Sequence, residues 1–385
     1  MTPVRIMAVG VGGAGGRIVT RVADALEGSV IAAAVNTDSR ALEEAHAAVK
    51  VRIGGTRTGG LGTGGDDNLG RVAAEDELGM IRAMLADARL AVVVAGLGGG
   101  TGTGAAPVIL AAAREAGATT LCFATLPFQF EGPQRRARAD RALTALREAC
   151  DALIVVPNDR LFAMPDGAGL ADAFARADEV LGNGILGLCR MITQPGCMSL
   201  DFADLQQVIR KGGGACALGY GDGRGERKAG DAVAALLASP LLDEGRALDS
   251  ARCVLVSVIG GPDLTLNEIS DAMKAITAKL PAACQVTVGT VVDAAWRGRV
   301  TVMAIVSARL AAEENVTPPD ADPAEPPPGE VAGRGGKRAT PAQTQTRLKL
   351  DASGRGRFKG LEPTIEDGED LDLPTFIRRG IPIER

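Results

Sequence analysis

The segment Gly98-Gly99-Gly100-Thr101-Gly102-Thr103-Gly104 packs five glycines and two threonines into seven residues. It follows a strand-like apolar run at 91–95 and precedes a helical pattern starting near Ala105-Ala106-Pro107, with the proline suited to a first turn. A glycine loop between strand and helix leaves the free amides of the helix N-terminus open to an anion. The same arrangement occurs earlier, where Gly10-Val11-Gly12-Gly13-Ala14-Gly15-Gly16 follows the strand-like residues 4–10 and opens a helix. That run also spells GxGxxG, a dinucleotide fingerprint, which would assign Asp38 at the end of the second strand to a ribose. Each run by itself also fits a tight turn. Two of them at the ends of neighbouring parallel strands imply several phosphates held in one crevice. Neither run carries the lysine of a Walker loop, so backbone amides and helix dipoles must carry the phosphate charge.

Outward from these loops, strand-like runs at 4–10, 30–36, 91–96, 119–125 and 153–157 alternate with helical stretches at 17–27, 69–88, 105–116 and 134–149. Such alternation predicts an α/β fold, a parallel sheet with helices on both faces. A long helical pattern from Leu170 to Thr193 is stopped by Pro195-Gly196. A second block reads helix 202–210, strand 215–220, helix 228–238, strand 252–259, helix 266–279, then strands 284–291 and 299–307. The last two, separated by a charged turn around Arg297-Gly298-Arg299, are expected to pair as a hairpin in a smaller α+β domain. The predicted division is therefore 1–169, a central helix 170–194, an α+β domain 195–310, a linker 311–360 and a terminal segment 361–385.

Composition narrows the chemistry. Glycine is 51 of 385 residues, about twice the average share, while aromatics make up only 3%, so Ala, Val, Leu and Ile must fill the cores. A net charge of −5 argues against a nucleic-acid binder relying on bulk positive charge. The single histidine, His46, excludes His-rich zinc sites and points away from a Ser-His-Asp arrangement. Seven scattered cysteines without a CxxC read as buried free thiols in a reducing compartment. The uncharged stretch Leu90 to Ala113 is too rich in glycine at its centre for a membrane helix, and no targeting segment is read ahead of Val4, so a cytoplasmic protein without direct membrane insertion is expected.

Beyond Leu310 the pattern changes. Residues 313–330 hold several prolines and only acidic charges, and 334–359 are mostly basic, the composition of a disordered linker. Apolar residues return in Leu371-Asp372-Leu373-Pro374-Thr375-Phe376-Ile377-Arg378-Arg379, which reads as a docking peptide.

The 98–104 run is the signature of the tubulin/FtsZ family, and the chain resembles its bacterial cell-division GTPases over residues 4 to about 310 and again in the terminal peptide. Supporting stretches are Ala34-Val35-Asn36-Thr37-Asp38, Pro127-Phe128-Gln129-Phe130-Glu131-Gly132, Pro157-Asn158-Asp159 and Asp201-Phe202-Ala203-Asp204. The resemblance implies a Rossmann-like GTP-binding domain, a long central helix and a smaller α+β domain. It implies GTP as ligand, with Mg²⁺ as its companion. Gly13, Ala14, Gly15 and Gly16 would line one side of the phosphates, and Gly99, Gly100, Thr101 and Gly102 the other, the run closing with Thr103 and Gly104. Glu131 and Arg135 would reach the sugar and its surroundings, Asn158 the base side, and Phe174 and Asp178 the purine pocket. A carboxylate at Asp178 can accept both N1–H and N2–H of guanine, a pair that adenine does not offer. Residues 370–379 would bind a membrane-anchoring adaptor such as the actin-like FtsA at the mid-cell division site.

Asp201 and Asp204 lie three apart at a helix start, where they can orient an attacking water or simply cap the helix. From Asp178 to Thr193 the central helix spans about 22 Å, so these acids do not easily reach a phosphate bound in their own molecule. They could reach one held by the next molecule in a head-to-tail homopolymer, a heterologous contact that does not close. Three positions depart from the family pattern: Arg17 stands where most members have Asn, Gly65-Asp66-Asp67 replaces Ala-Asn-Pro, and Ser199 replaces the Asn of the catalytic loop. Acids at 66 and 67 would repel a γ-phosphate unless Mg²⁺ intervened. Three readings follow: a polymerising GTPase of the division ring, a filament scaffold whose GTPase has decayed, and a nicotinamide-dependent oxidoreductase built on the first glycine loop.

Overall fold

The computed structural model describes residues 4–25, 30–161, 169–194, 196–198, 200–211, 215–242, 245–308, 365–366 and 369–370. The chain opens with β1 (Ile6–Val11), α1 (Gly12–Ala25), β2 (Val30–Asn36), α2 (Ser39–Glu44), β3 (Val49–Arg52), α3 (Gly55–Thr58), α4 (Asp67–Asp76) and α5 (Leu78–Leu85). Then come β4 (Leu90–Gly96), α6 (Thr101–Glu115), β5 (Thr119–Leu126), α7 (Pro133–Ala149) and β6 (Ala152–Pro157). These six strands are parallel neighbours in the order β3-β2-β1-β4-β5-β6. Their sequences are nearly continuous apolar runs, and β1, with every residue buried, shows why: helices cover both faces. The order reverses between β1 and β4, which opens a crevice at the carboxyl ends of those two strands.

α8 (Leu170–Thr193) follows, and then β7 (Gly196–Met198), α9 (Phe202–Lys211), β8 (Ala215–Arg224), α10 (Lys228–Leu237), α11 (Arg246–Asp249), β9 (Ala251–Gly260), α12 (Leu266–Thr277), β10 (Gln285–Val292) and β11 (Arg299–Ala308). A short parallel pairing of β6 with β8 joins the two halves into one eleven-stranded sheet that continues β8-β11-β9-β10-β7. α8 buries Leu181, Ile185, Leu188 and Cys189 in a core cluster that also holds Ile6 and Leu121 of the first half and Leu255 and Ile305 of the second. Each such aliphatic side chain contributes about 1.5–3 kcal/mol. At the far end of α8, Arg190 lies 5.2 Å from the ring centroid of Trp296, whose ring Arg299 also approaches at 4.2 Å. Separately, β12 (Ile365–Glu366) and β13 (Glu369–Asp370) form a small antiparallel pair.

Several expectations are corrected. The hairpin of 284–291 with 299–307 does not form: β10 pairs in parallel with β9, and β11 runs antiparallel between β8 and β9. Burial explains the choice, since β11 is buried from Val300 to Ser307 whereas β10 is exposed at both ends and takes a place nearer the sheet edge. The helix expected over 69–88 is two helices broken at Glu77. The helix after the second glycine run starts at Thr101 rather than near Ala105, so the run itself supplies its first turn and Pro107 sits inside it. The short elements β3, α2, α3, β7, α11 and the β12–β13 pair are not anticipated by the sequence pattern. The proposed linker 311–360 and the docking residues 371–379 lie outside the described residues.

Candidate functional site: a glycine-walled pocket at the switch point

A pocket of about 300 Å³ lies at the carboxyl ends of four parallel strands, reached by Val11 from β1, Gly96 and Leu97 from β4, Thr125 and Pro127 from β5, and Asn158 after β6. Two helices start at it, α1 at Gly12 and α6 at Thr101, so their unpaired N–H groups and positive dipole ends converge there. Gly98 holds φ +92°, a conformation few side chains tolerate, and its N–H donates to Thr103 Oγ1 at 2.9 Å, which fixes the turn into α6. Both loops press on β4 through backbone, and they meet where a Cβ on Gly12 would lie 3.1 Å from Gly102 N. A Cβ on Gly15 would lie 2.2 Å from the carbonyl oxygen of Val94, and one on Gly102 would lie 2.5 Å from that of Gly96.

Gly13 and Gly99 differ from these. Both line the pocket, and a Cβ on either would meet nothing within 4 Å. Here the missing side chain leaves room for a ligand to touch backbone, which is what a phosphate cradle requires. Ala14, Gly100, Thr101 and Gly102 also line the wall, as the sequence predicts. Gly15, Gly16, Thr103 and Gly104 do not, and they shape the loops from behind. Gly104, for example, lets α4 approach α6 so closely that a Cβ would sit 2.0 Å from the Asp67 carbonyl oxygen.

On the opposite wall, Glu131 accepts from the Phe128 N–H at 2.9 Å and pairs with Arg135, so both residues arrive at the pocket already ordered by local contacts. Asn158 is buried, and its side-chain amide has no hydrogen-bond partner among the described residues. Such an amide is suited to a polar ligand group. Phe174 lines the pocket and packs edge-on against Phe128, their centroids 5.2 Å apart. Asp178, one helical turn beyond Phe174, is not itself part of the wall; it accepts from Arg17 Nε, on a wall residue, at 2.9 Å. Burial pushes the Asp178 carboxyl above the ordinary aspartate value, while the Arg17 guanidinium, and Arg21 more weakly, pull it back.

The remaining candidates fall elsewhere. Asp38 caps α2 by accepting from the Ala41 N–H at 3.1 Å and is not part of the pocket wall, so the ribose assignment fails and with it the nicotinamide reading. Asp66 caps α4 through the Leu69 N–H at 3.0 Å, and Asp67 has Arg141 at 3.9 Å. Neither lines the pocket itself, although Asp66 packs on the second glycine loop, where a Cβ on Gly100 would lie 2.6 Å from its carbonyl oxygen. Asp201 and Asp204 flank the start of α9, which packs on β9 and β11 in the other half of the sheet. Asp201 is exposed, and Asp204 accepts from its N–H at 2.9 Å in a capping contact. Ser199 lies outside the described residues.

Sequence reasoning missed Thr63, Leu97 and Thr125 as wall residues, and also Thr37, a buried residue whose hydroxyl meets that of Thr101 at 2.6 Å. The two threonines of the second glycine run were the available signal, because a buried hydroxyl needs a partner. Among the described residues no group of three or more acidic, histidine or cysteine side chains could hold a metal. No described helix is long and apolar enough to cross a membrane.

The comparisons with known proteins agree with this geometry. Residues 5–166 match the GTPase domain of the Tubulin/FtsZ family, and residues 214–308 match the C-terminal domain of the FtsZ family. The empty FtsZ dimer of M. jannaschii is 35% identical at a TM-score of 0.75, over 81% of this chain and 90% of that one. The GTPγS-bound protofilament of CetZ2 from Haloferax volcanii is 25% identical at a TM-score of 0.66, over 78% and 92% of the two chains. CetZ1 from the same organism, a GDP-bound monomer, shares the fold at 23% identity and a TM-score of 0.67, over 80% of this chain and 94% of that one. With a 35%-identical FtsZ relative matched over 81% of this chain and both family domains present in order, this chain belongs to the tubulin/FtsZ family of tubulin-like GTPases.

Proposed function

We propose that the chain is a GTP-dependent, filament-forming protein of the cell-division ring, and that its GTP is hydrolysed between subunits. The observation that carries this reading is the separation of two half-sites along α8. Phe174 and Asp178 lie near its N-terminal end beside the glycine loops, and Asp201 and Asp204 follow its C-terminal end. Backbone N–H groups around Gly13 and Gly99 would hold the phosphates, and Asn158, Phe174 and Asp178 the base. Asp201, exposed and without an ion-pair partner among the described residues, would orient water against the γ-phosphate of a neighbouring subunit, with Asp204 positioned by the helix it caps. Mg²⁺ bound with the nucleotide would neutralise phosphate charge. The exposed Leu61 and Phe130, on loops of the pocket half, supply apolar area for that neighbour. Recruitment to the membrane, at mid-cell in the cytoplasm, would come through an adaptor such as FtsA on residues 370–379.

Mixing two crippled variants tests shared catalysis. Asp201→Ala should bind GTP yet lose about 100-fold in turnover. Gly102→Ser is a poor partner for it, because the new Cβ meets the Gly96 carbonyl and deforms the loop. Gly13→Val puts its Cβ into the open cradle, where nothing lies within 4 Å, so it should stay folded and lose GTP. An intact cradle from Asp201→Ala facing intact acids from Gly13→Val rebuilds one site, and GTPase should return on mixing and rise with protein concentration. Two folded, co-assembling variants that stay inactive together would refute the two-subunit site. Filaments formed with GTP but no turnover at any concentration would favour the scaffold with a decayed GTPase.

A further inference from the structure

A second pocket, of about 200 Å³, lies at the opposite end of the sheet, where β5 and β6 begin, and α9 forms its other wall. Its polar groups are ordered in advance. Gln206 Nε2 donates to Thr119 Oγ1 at 2.7 Å, and Asp151 Oδ2 accepts from both the N–H and the hydroxyl of Thr120 at 2.8 Å. Each keeps one acceptor oxygen, Gln206 Oε1 and Asp151 Oδ1, without a donor among the described residues. Two arginines reach the same pocket from different elements, Arg114 in the last turn of α6 and Arg210 near the end of α9. Arg114 is anchored through Nη1, which donates to the Glu148 carbonyl at 2.8 Å. Arg210 has no hydrogen-bond or ion-pair partner among the described residues, and neither arginine is ion-paired with Asp151. The pocket thus sets two guanidinium charges against one carboxylate, a local positive excess in a chain of net charge −5.

We propose that this pocket binds a small phosphate monoester carrying hydroxyl groups, with the phosphate between Arg114 and Arg210 and the hydroxyls donating to Asp151 Oδ1 and Gln206 Oε1. Guanidinium forks match phosphate oxygens in pairs, and such charge-assisted bonds are the strong ones. A bare inorganic anion would satisfy the arginines, yet it would leave both acceptors unused and face the charge of Asp151. A dicarboxylate would set a second negative charge against that same carboxylate. A molecule with phosphate at one end and hydroxyl donors at the other satisfies all four groups at once. The volume lies below the range usual for drug-sized ligands, which restricts the ester to a few carbon atoms. Ile209, on the same wall, gives those carbons an apolar neighbour. The site is separate from the glycine-walled pocket and does not depend on how that pocket is read. Its occupant would tie α9 to the starts of β5 and β6.

Equilibrium dialysis of radiolabelled glycerol 3-phosphate against the full chain tests the assignment, with inorganic phosphate and glycerol as competitors. Glycerol 3-phosphate should bind saturably, inorganic phosphate should compete about tenfold more weakly, and glycerol should not compete. Arg210→Ala, at an exposed helix position, should weaken binding about tenfold, and Arg114→Gln should do the same. Arg210→Gln, which keeps bulk without the charge, stands in if Arg210→Ala does not fold. Asp151→Asn keeps an acceptor for Thr120 and turns a donor into the pocket, so it should weaken glycerol 3-phosphate and tighten inorganic phosphate. Gly13→Val alters the glycine cradle and should leave this binding unchanged. Binding lost in Gly13→Val but kept in Arg210→Ala would place the probe in the cradle and overturn the proposal. Absence of saturable binding would overturn it as well, and so would equal affinity for glycerol 3-phosphate and inorganic phosphate.

Discussion

The pocket near the N-terminal end of α8 and the acidic turn past its C-terminal end are built in opposite ways. In the pocket, the chemistry belongs to backbone: two helix starts, two glycine loops pressed on β4 and positions such as Gly13 and Gly99 where any side chain would intrude. At the acidic turn it belongs to side chains, and Asp204 is engaged in capping its own helix. A backbone site is shaped by the fold of one molecule and stands complete in it. The carboxylates flank a helix start in the other half of the sheet and line no part of the pocket. Under the proposed function, assembly rather than folding would bring the two together.

The sharpest way to break that contrast is to place a methyl group on the backbone side. Gly15→Ala drives a Cβ to within 2.2 Å of the Val94 carbonyl, and the loop cannot move without pulling α1 from β4. It should cost about 3 kcal/mol in denaturant unfolding and abolish nucleotide binding. Gly13→Ala, two residues away and open, should stay within about 0.5 kcal/mol of the parent and weaken only nucleotide binding. If the two variants are equally stable, the close approach of the loops to β4 is not what shapes the pocket.

The acidic turn should respond in the reverse manner. Asp204→Ala removes the acceptor for the Asp201 N–H and should lower stability by about 1 kcal/mol, whereas Asp204→Asn keeps an acceptor oxygen and should not. Both should slow GTP turnover, measured by phosphate release above the assembly threshold, without weakening GTP binding. Turnover that tracked stability alone, with Asp204→Asn fully active, would reduce Asp204 to a cap.

What was legible in the sequence follows the same division. The glycine loops could be read because their spacing stands out: at Gly15, Gly102 and Gly104 close backbone approach leaves no other residue type, and two such loops at strand ends define the switch-point crevice. The order of the second half could not be read, because β10 and β11 are both apolar, and only their competition for the central slot beside β9 excludes a hairpin. Asp38, Asp66 and Asp204 show a different limit, since an acid two or three residues from a helical N–H satisfies the pattern of a ligand site and that of a cap equally well. The Arg17–Asp178 contact joins residues 161 positions apart on two helices, and no local pattern encodes it.

That contact also makes the pocket sensitive to pH. Asp178 must be ionised to accept two N–H groups, and burial raises its pKa above the ordinary aspartate value. Guanine affinity should therefore begin to fall, as pH is lowered, before an ordinary aspartate would protonate. Folding stability of the nucleotide-free protein should move the other way: a raised native pKa makes this group's contribution most favourable below the unfolded aspartate value, and it is lost as pH rises through the native one. Binding titrations of GTP and thermal melts without nucleotide, run over the same acidic range, should thus slope oppositely for this residue. Asp178→Asn should flatten both slopes, and parallel slopes in the parent would show that other carboxylates govern the range.

The smallest effect expected is the one that reports most directly on assembly. Cys122, Cys150, Cys189 and Cys216 are buried, and burial pushes the last three thiols up to about 12, so in the folded protein they should resist alkylation. Cys197 is exposed, lies on β7 and stands four residues before Asp201. A thiol reagent applied briefly to the native protein should therefore mark Cys197 first. If the acidic turn meets the pocket of a neighbour, adding GTP at assembling concentrations should slow that labelling severalfold, while GTP at concentrations too dilute for assembly should leave it unchanged. Asp201→Ala, if it binds GTP and loses turnover as the proposed function expects, should hold the protected state longer than the parent. Equal labelling rates with and without filaments, at a protein concentration where sedimentation shows assembly, would place the acidic turn outside the contact between subunits.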